Sequence, residues 1–138
     1  MPKIYRTMFD QGGRPLVGNA FCELGIRPTD VDVDGRGNVA LNGNGMSVFR
    51  SLADLPRLCS RLVPIHLARK VRGAAGPTGT RVWTMGAGPF VSAPLAGNLA
   101  LREAGGLHGT ICPTTAMTTA AFQSELAATQ GSWAIDEP

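Results

Sequence analysis

Polar and apolar positions alternate with period two from the start of the chain. Ile4, Arg6 and Met8 fall on one side of residues 3–9, and Tyr5, Thr7 and Phe9 on the other, which predicts a strand. An arginine on an otherwise apolar strand face is costly to bury unless it meets an anion. Arg6 is therefore either an edge residue reaching solvent or a ligand-binding arginine. Asp10-Gln11-Gly12-Gly13-Arg14-Pro15 reads as a turn, and residues 16–25 fit a short helix or a strand equally. Val31-Asp32-Val33, the turn Asp34-Gly35-Arg36-Gly37-Asn38 and Val39-Ala40-Leu41 predict a hairpin, and Asn42-Gly43-Asn44-Gly45 leads into a strand at Met46-Ser47-Val48-Phe49.

The period then changes. Leu52, Leu55, Leu58 and Leu62 predict a helix over 51–62, capped by Ser51 or Asp54; Pro56 in its first turn favours Asp54. Short strands are expected at Arg81–Met85, Pro89–Val91, Asn98–Leu101 and Leu107–Pro113, the last carrying His108 after the turn Glu103-Ala104-Gly105-Gly106. After Pro113, the spacing of Met117, Ala121, Phe122 and Leu126 predicts an amphipathic helix started by Thr114, Thr115 or Thr118 and ended by Gly131-Ser132. Eighteen glycines and ten prolines in 138 residues favour short elements joined by turns, hence a β or α+β fold over a helical bundle. The length fits a single domain over 1–138.

Composition narrows the functional classes. No run of about 18 apolar residues exists to span a membrane, and Met1–Arg6 lacks the apolar core of a signal peptide. A cytoplasmic site of action is expected, with any export left to a dedicated system. Cys22, Cys59 and Cys112 form no C-x-x-C pair and read as small apolar core residues in a reducing compartment. The net charge is +3, with Arg57, Arg61, Arg69, Lys70, Arg72 and Arg81 concentrated in the middle of the chain. That cluster supports one reading of the chain, a non-catalytic basic domain docking RNA or an acidic partner, although no aromatic residues interleave with it. Asp30, Asp32 and Asp34 do not meet the EF-hand pattern, so no metal site is assigned. Ser47 stands outside any Gly-x-Ser-x-Gly elbow, and the missing Gly-x-Gly-x-x-Gly argues against a Rossmann dehydrogenase.

Three stretches, taken in order, carry a resemblance. They are the opening strand with Tyr5-Arg6, the hairpin from Asp30-Val31-Asp32-Val33 through Gly45-Met46-Ser47-Val48-Phe49, and Leu95-Ala96-Gly97-Asn98-Leu99 through His108-Gly109-Thr110-Ile111 to Pro113–Met117. Together they resemble the type VI secretion effector toxins with an ADP-ribosyltransferase-like fold. The resemblance implies two small, mostly antiparallel sheets around a cleft for NAD, with few helices. It implies cleavage of the nicotinamide–ribose bond by ADP-ribosyl transfer or NAD hydrolysis, an unidentified target molecule, and an immunity protein or antitoxin as partner. Nucleic acid stays open as a target.

Carried over by position, the resemblance makes Arg6, Ser47 and His108 the catalytic trio. Arg6 would pair the phosphates bidentately, Ser47 would hold the nicotinamide ribose, and His108 a ribose hydroxyl. Tyr5 and Trp83 join them as NAD-binding residues, Trp83 or Phe90 offering nicotinamide an apolar wall, although core packing is the commoner use of either side chain. Protein-modifying members carry a glutamate on the late strand. Here that strand offers His108, with Glu103 five residues earlier and Glu125 on the helix, which puts ordinary protein ADP-ribosylation in doubt.

Overall fold

The structure, a computed structural model, describes residues 1–20, 22–41, 45–55 and 80–136. Within them lie eight strands: β1 (Ile4–Gln11), β2 (Arg14–Pro15), β3 (Met46–Phe49), β4 (Thr80–Met85), β5 (Ala93–Pro94), β6 (Leu99–Ala104), β7 (His108–Pro113) and β8 (Ala134–Ile135). Among the described residues one α-helix, α1 (Thr119–Ala128), precedes β8. The fold is α+β. Its strands pair antiparallel in the order β5-β6-β7-β3-β1-β4-β8, with β2 attached to β1. They form one connected, curled sheet rather than the two separate sheets expected, because Tyr5 of β1 pairs with Phe49 of β3 and joins the halves.

The alternation along each strand sorts the side chains into two faces. Ile4, Met8, Trp83, Met85, Met46, Val48, Ile111, Leu99 and Leu101 point to one face and are buried there. Phe122 and Leu126 of α1 join them in a single apolar cluster. Thr118 caps the helix by accepting a hydrogen bond from Ala121 N at 3.1 Å, one of the three expected starts. Ala121, expected on the apolar stripe, is exposed.

Gly45 in the Gly-x-Ser-Val-Phe stretch has a packing reason. A Cβ there would lie 2.0 Å from Ile111 O, so β3 approaches β7 only without a side chain at that point. The Gly105-Gly106 turn holds both residues at positive φ (77° and 83°), which lets Ala104 pair with His108 across a tight loop.

Several expectations are corrected. The described residues of 16–25, all but Phe21, form neither helix nor strand and are irregular apart from a Val17–Leu24 bridge. Pro89–Val91 is a bend, and the neighbouring strand lies at Ala93–Pro94. Of the helix expected over 51–62, the described residues hold one 3-10 turn, Leu52–Asp54. Residues 56–62, and the basic positions Arg57, Arg61, Arg69, Lys70 and Arg72, lie outside the described residues. Arg81 is described, and its guanidinium sits 4.0 Å from Asp10.

The cysteines also differ. Cys112 is a free, buried thiol whose pKa burial pushes up, while Cys22 is disulfide-bonded. Cys22 and Cys112 are both buried as expected, so the disulfide corrects only the reading of Cys22 as reduced, and Cys59 lies outside the described residues. Cys22 also adopts a left-handed backbone (φ 60°), unusual for a side chain with a Cβ. A cross-link in a domain this small carries weight, and Cys22→Ser should lower stability by about 2–5 kcal/mol in chemical denaturation. Unchanged unfolding would show that the cross-link does not constrain the fold.

Candidate functional site

β1 and β3 run together at one register pair only, Tyr5 with Phe49. From there the strands diverge. β1 stays with β4 from Ile4 to Phe9, and β3 stays with β7 from Met46 to Phe49. Continued pairing would have set Thr7 opposite Ser47. Instead the 16–27 segment takes up the free edge of β1: Phe9 N donates to Cys22 O at 2.8 Å, and Leu16 N donates to Phe9 O at 2.9 Å.

Arg6 bridges the divergence. Its Nη1 donates to Ser47 O at 2.7 Å and its Nη2 to Glu23 O at 3.0 Å. Both acceptors are backbone carbonyls, one on β3 and one on the inserted segment. The sequence left two readings of Arg6, solvent-reaching or ligand-binding; the structure shows a third use, a pin between two chain segments. Burial lowers its pKa to about 10, against the pull of nearby Asp30 and with a further push from Arg27, so the group remains cationic at neutral pH.

The divergence leaves a notch of about 100 Å³, lined by Arg6, Thr7, Cys22, Arg27, Asp30 and Ser47. Its polar groups are not all spent. Arg6 Nε and Thr7 Oγ1 are shut off from solvent and have no hydrogen-bond partner among the described residues. Ser47, half-buried on β3, also lines the notch. Buried donors left without partners each cost stability, and both of these lie on β1 where it parts from β3. On the rim, Arg27 is fixed by Asp30: Nη2 lies 3.1 Å from Oδ1, and Arg27 N donates to Oδ2 at 2.7 Å.

The residues singled out from sequence separate as follows. Arg6 and Ser47 meet at the notch. Their side chains leave opposite faces of the sheet, since Arg6 lies in line with Ile4 and Met8, and Ser47 with Phe49. His108 opens β7, pairs with Phe49 and stacks on its ring at 5.1 Å between centroids, tilted by 53°. It shares a face with Ser47, which pairs with Thr110 two residues further along β7, so the two are diagonal neighbours on adjacent strands.

Tyr5 and Trp83 are engaged elsewhere. Tyr5 donates its hydroxyl to Asp136 Oδ2 at 2.7 Å, and Lys3 lies 3.8 Å from the same carboxylate. Trp83 is buried in the core with its Nε1 donating to Met8 O at 3.0 Å, and it offers no wall to a ligand. Phe90 packs against the same core and would crowd any Cβ at Gly109. Neither glutamate reaches the notch: Glu103 accepts from Gly106 N, and Glu125 accepts from Asn98 Nδ2 at 2.9 Å.

Sequence reasoning missed Thr7 and Arg27. Thr7 reads as an ordinary β-branched strand residue and carries no signal of its unpaired hydroxyl. Arg27 had one, the Arg-Pro-Thr-Asp run that brings Asp30 back onto its backbone nitrogen.

Two substitutions separate the pin from the unpaired group. Arg6→Ala strands two carbonyls and should cost at least about 2 kcal/mol in denaturation. Thr7→Val keeps the shape and removes an unpaired hydroxyl, so stability should hold or rise by up to about 1 kcal/mol. A Thr7→Val protein markedly less stable than the parent would mean that the hydroxyl is already bonded in the fold. Comparison with protein-family models, curated proteins and solved structures yields no match to this chain.

Proposed function

We propose that the chain is an effector enzyme of the toxin class that binds NAD at the β1–β3 notch and cleaves its nicotinamide–ribose bond. The observation that supports this reading is the pair of unmatched polar groups on β1, Arg6 Nε and Thr7 Oγ1, beside Ser47 of β3 in one notch. A dinucleotide is rich in phosphoryl and ribose oxygens, the partners these groups need. The fit is specific in one respect: Arg6 commits both terminal nitrogens to carbonyls, so it offers phosphate one charge-assisted donor through Nε rather than a bidentate fork.

When bound, NAD supplies a glycosidic bond to a leaving group that departs as neutral nicotinamide. The chain's own residues orient and exclude. Arg6 Nε and Thr7 Oγ1 hold a phosphoryl oxygen away from water. Ser47 Oγ, at the mouth of the notch, holds a ribose hydroxyl, and His108 on the same face holds a second. Phe49 fixes the imidazole from one side. Holding the sugar in one orientation supplies much of such a reaction's acceleration.

The same geometry bears on the acceptor. Glu103 and Glu125 are bonded to Gly106 and Asn98. Neither is placed to activate a protein side chain, which favours water, and so NAD hydrolysis, over protein modification. An enzyme that drains NAD harms its maker, which is the reason to expect an immunity protein or antitoxin beside it and action in the cytoplasm of a target cell. No helix among the described residues is long and apolar enough to cross a membrane.

Purified protein should release nicotinamide from NAD with no lysate added. Ser47→Ala and His108→Ala should each slow release by about a hundredfold while leaving thermal unfolding unchanged. No release with or without lysate, or full rates in both variants, would sink the assignment.

A further inference from the structure

Arg27 borders two concavities. On the sheet side is the notch of about 100 Å³. On the helix side is a groove of about 430 Å³, walled by Ile26, Val31 and Val33 and, from α1, by Ala120 and Gln123. The two differ in chemistry. The notch carries Arg6, Thr7, Asp30 and Ser47, whereas the groove is mainly apolar. They also differ in size: the notch has room for one phosphoryl-sized group, and the groove falls in the range that encloses small organic ligands.

Gln123 cannot serve as a polar reader in the groove. Its carbonyl accepts from Ile26 N at 3.0 Å, and its amide nitrogen donates to Gly18 O at 3.2 Å and Leu24 O at 3.3 Å. Its amide is thus spent on holding the 18–26 segment against α1. The groove therefore suits a flat, largely apolar ring system more than a carboxamide that needs paired donors and acceptors. At the junction, Arg6 and Arg27 both stand near the carboxylate of Asp30. Thr7, more than nine-tenths buried, turns an unpaired hydroxyl toward the same place.

We infer that the notch and the groove together form a seat for a nucleoside diphosphate, with the nucleoside in the groove and a phosphoryl group in the notch. This deepens the NAD reading and rests on it. The adenosine diphosphate half then lies on the helix side of the sheet. Arg27 stands at the division between base and phosphate, and Thr7 is a binding residue for the phosphate.

Calorimetric titration of the intact protein tests the seat without reference to turnover. The probes are ADP, inorganic phosphate and nicotinamide mononucleotide. ADP should bind more tightly than nicotinamide mononucleotide. Ala120→Trp, at an exposed helix position that fills the groove, should weaken ADP by about tenfold and leave phosphate binding as it was. Thr7→Val should weaken both ADP and phosphate by a similar factor. Melting curves show that both variants are folded. Undiminished ADP binding in Ala120→Trp, equal binding of the two nucleotides, or no ADP binding at millimolar concentration would overturn the inference. ADP binding in the expected pattern from a protein that leaves NAD intact would support the seat and refute the catalytic reading alone.

Discussion

The guanidinium of Arg6, held between Ser47 O and Glu23 O, sets the shape of the notched end of this domain. Strands β1 and β3 touch at a single register pair and would close on each other if nothing intervened. A buried cation beside an apolar face carries a desolvation penalty, offset here by two charge-assisted hydrogen bonds to carbonyls that would otherwise be left over where the ladder ends. The 16–27 segment needs that anchor as well, since it contributes no regular structure of its own. Its other ties include Leu16 N and Cys22 O to the edge of β1 and Gln123 to Gly18, Leu24 and Ile26. Divergence, inserted segment and notch are thus one construction.

Much of the sheet was legible in the sequence, because a strand with one buried face repeats every two residues. Ile4–Met8, Met46–Phe49, Arg81–Met85, Leu99–Leu101 and His108–Ile111 all carry that period and all are strands. The helix after Pro113 was legible from Phe122 and Leu126 and from the Thr118 cap. The 16–27 segment was not, because its conformation is set by partners distant in sequence, namely Phe9 and Gln123. The strand at Ala134–Ile135 escaped for a similar reason: it is two exposed residues whose only pattern is the β4 edge they pair with.

At the site, residue identity was more legible than role. Arg6 and Ser47 stood out by chemistry and do come together. The sequence could not show that two of the donors on Arg6 are used within the fold. Trp83 takes the core position that is the commoner use of a strand tryptophan, not the ligand wall that the resemblance implies. Thr7 became visible only when the divergence of the strands left its hydroxyl without a partner. A polar group stranded by a break in a ladder is a tertiary fact.

The central claim is that a ligand completes the unmatched groups of the notch, and backbone amide chemical shifts measured during titration with NAD test it most directly. Perturbations should concentrate at Arg6, Thr7 and Ser47 and along residues 22–30, with Tyr5 and β6 little changed. An unresponsive spectrum, or shifts confined to a surface remote from β1 and β3, would contradict it.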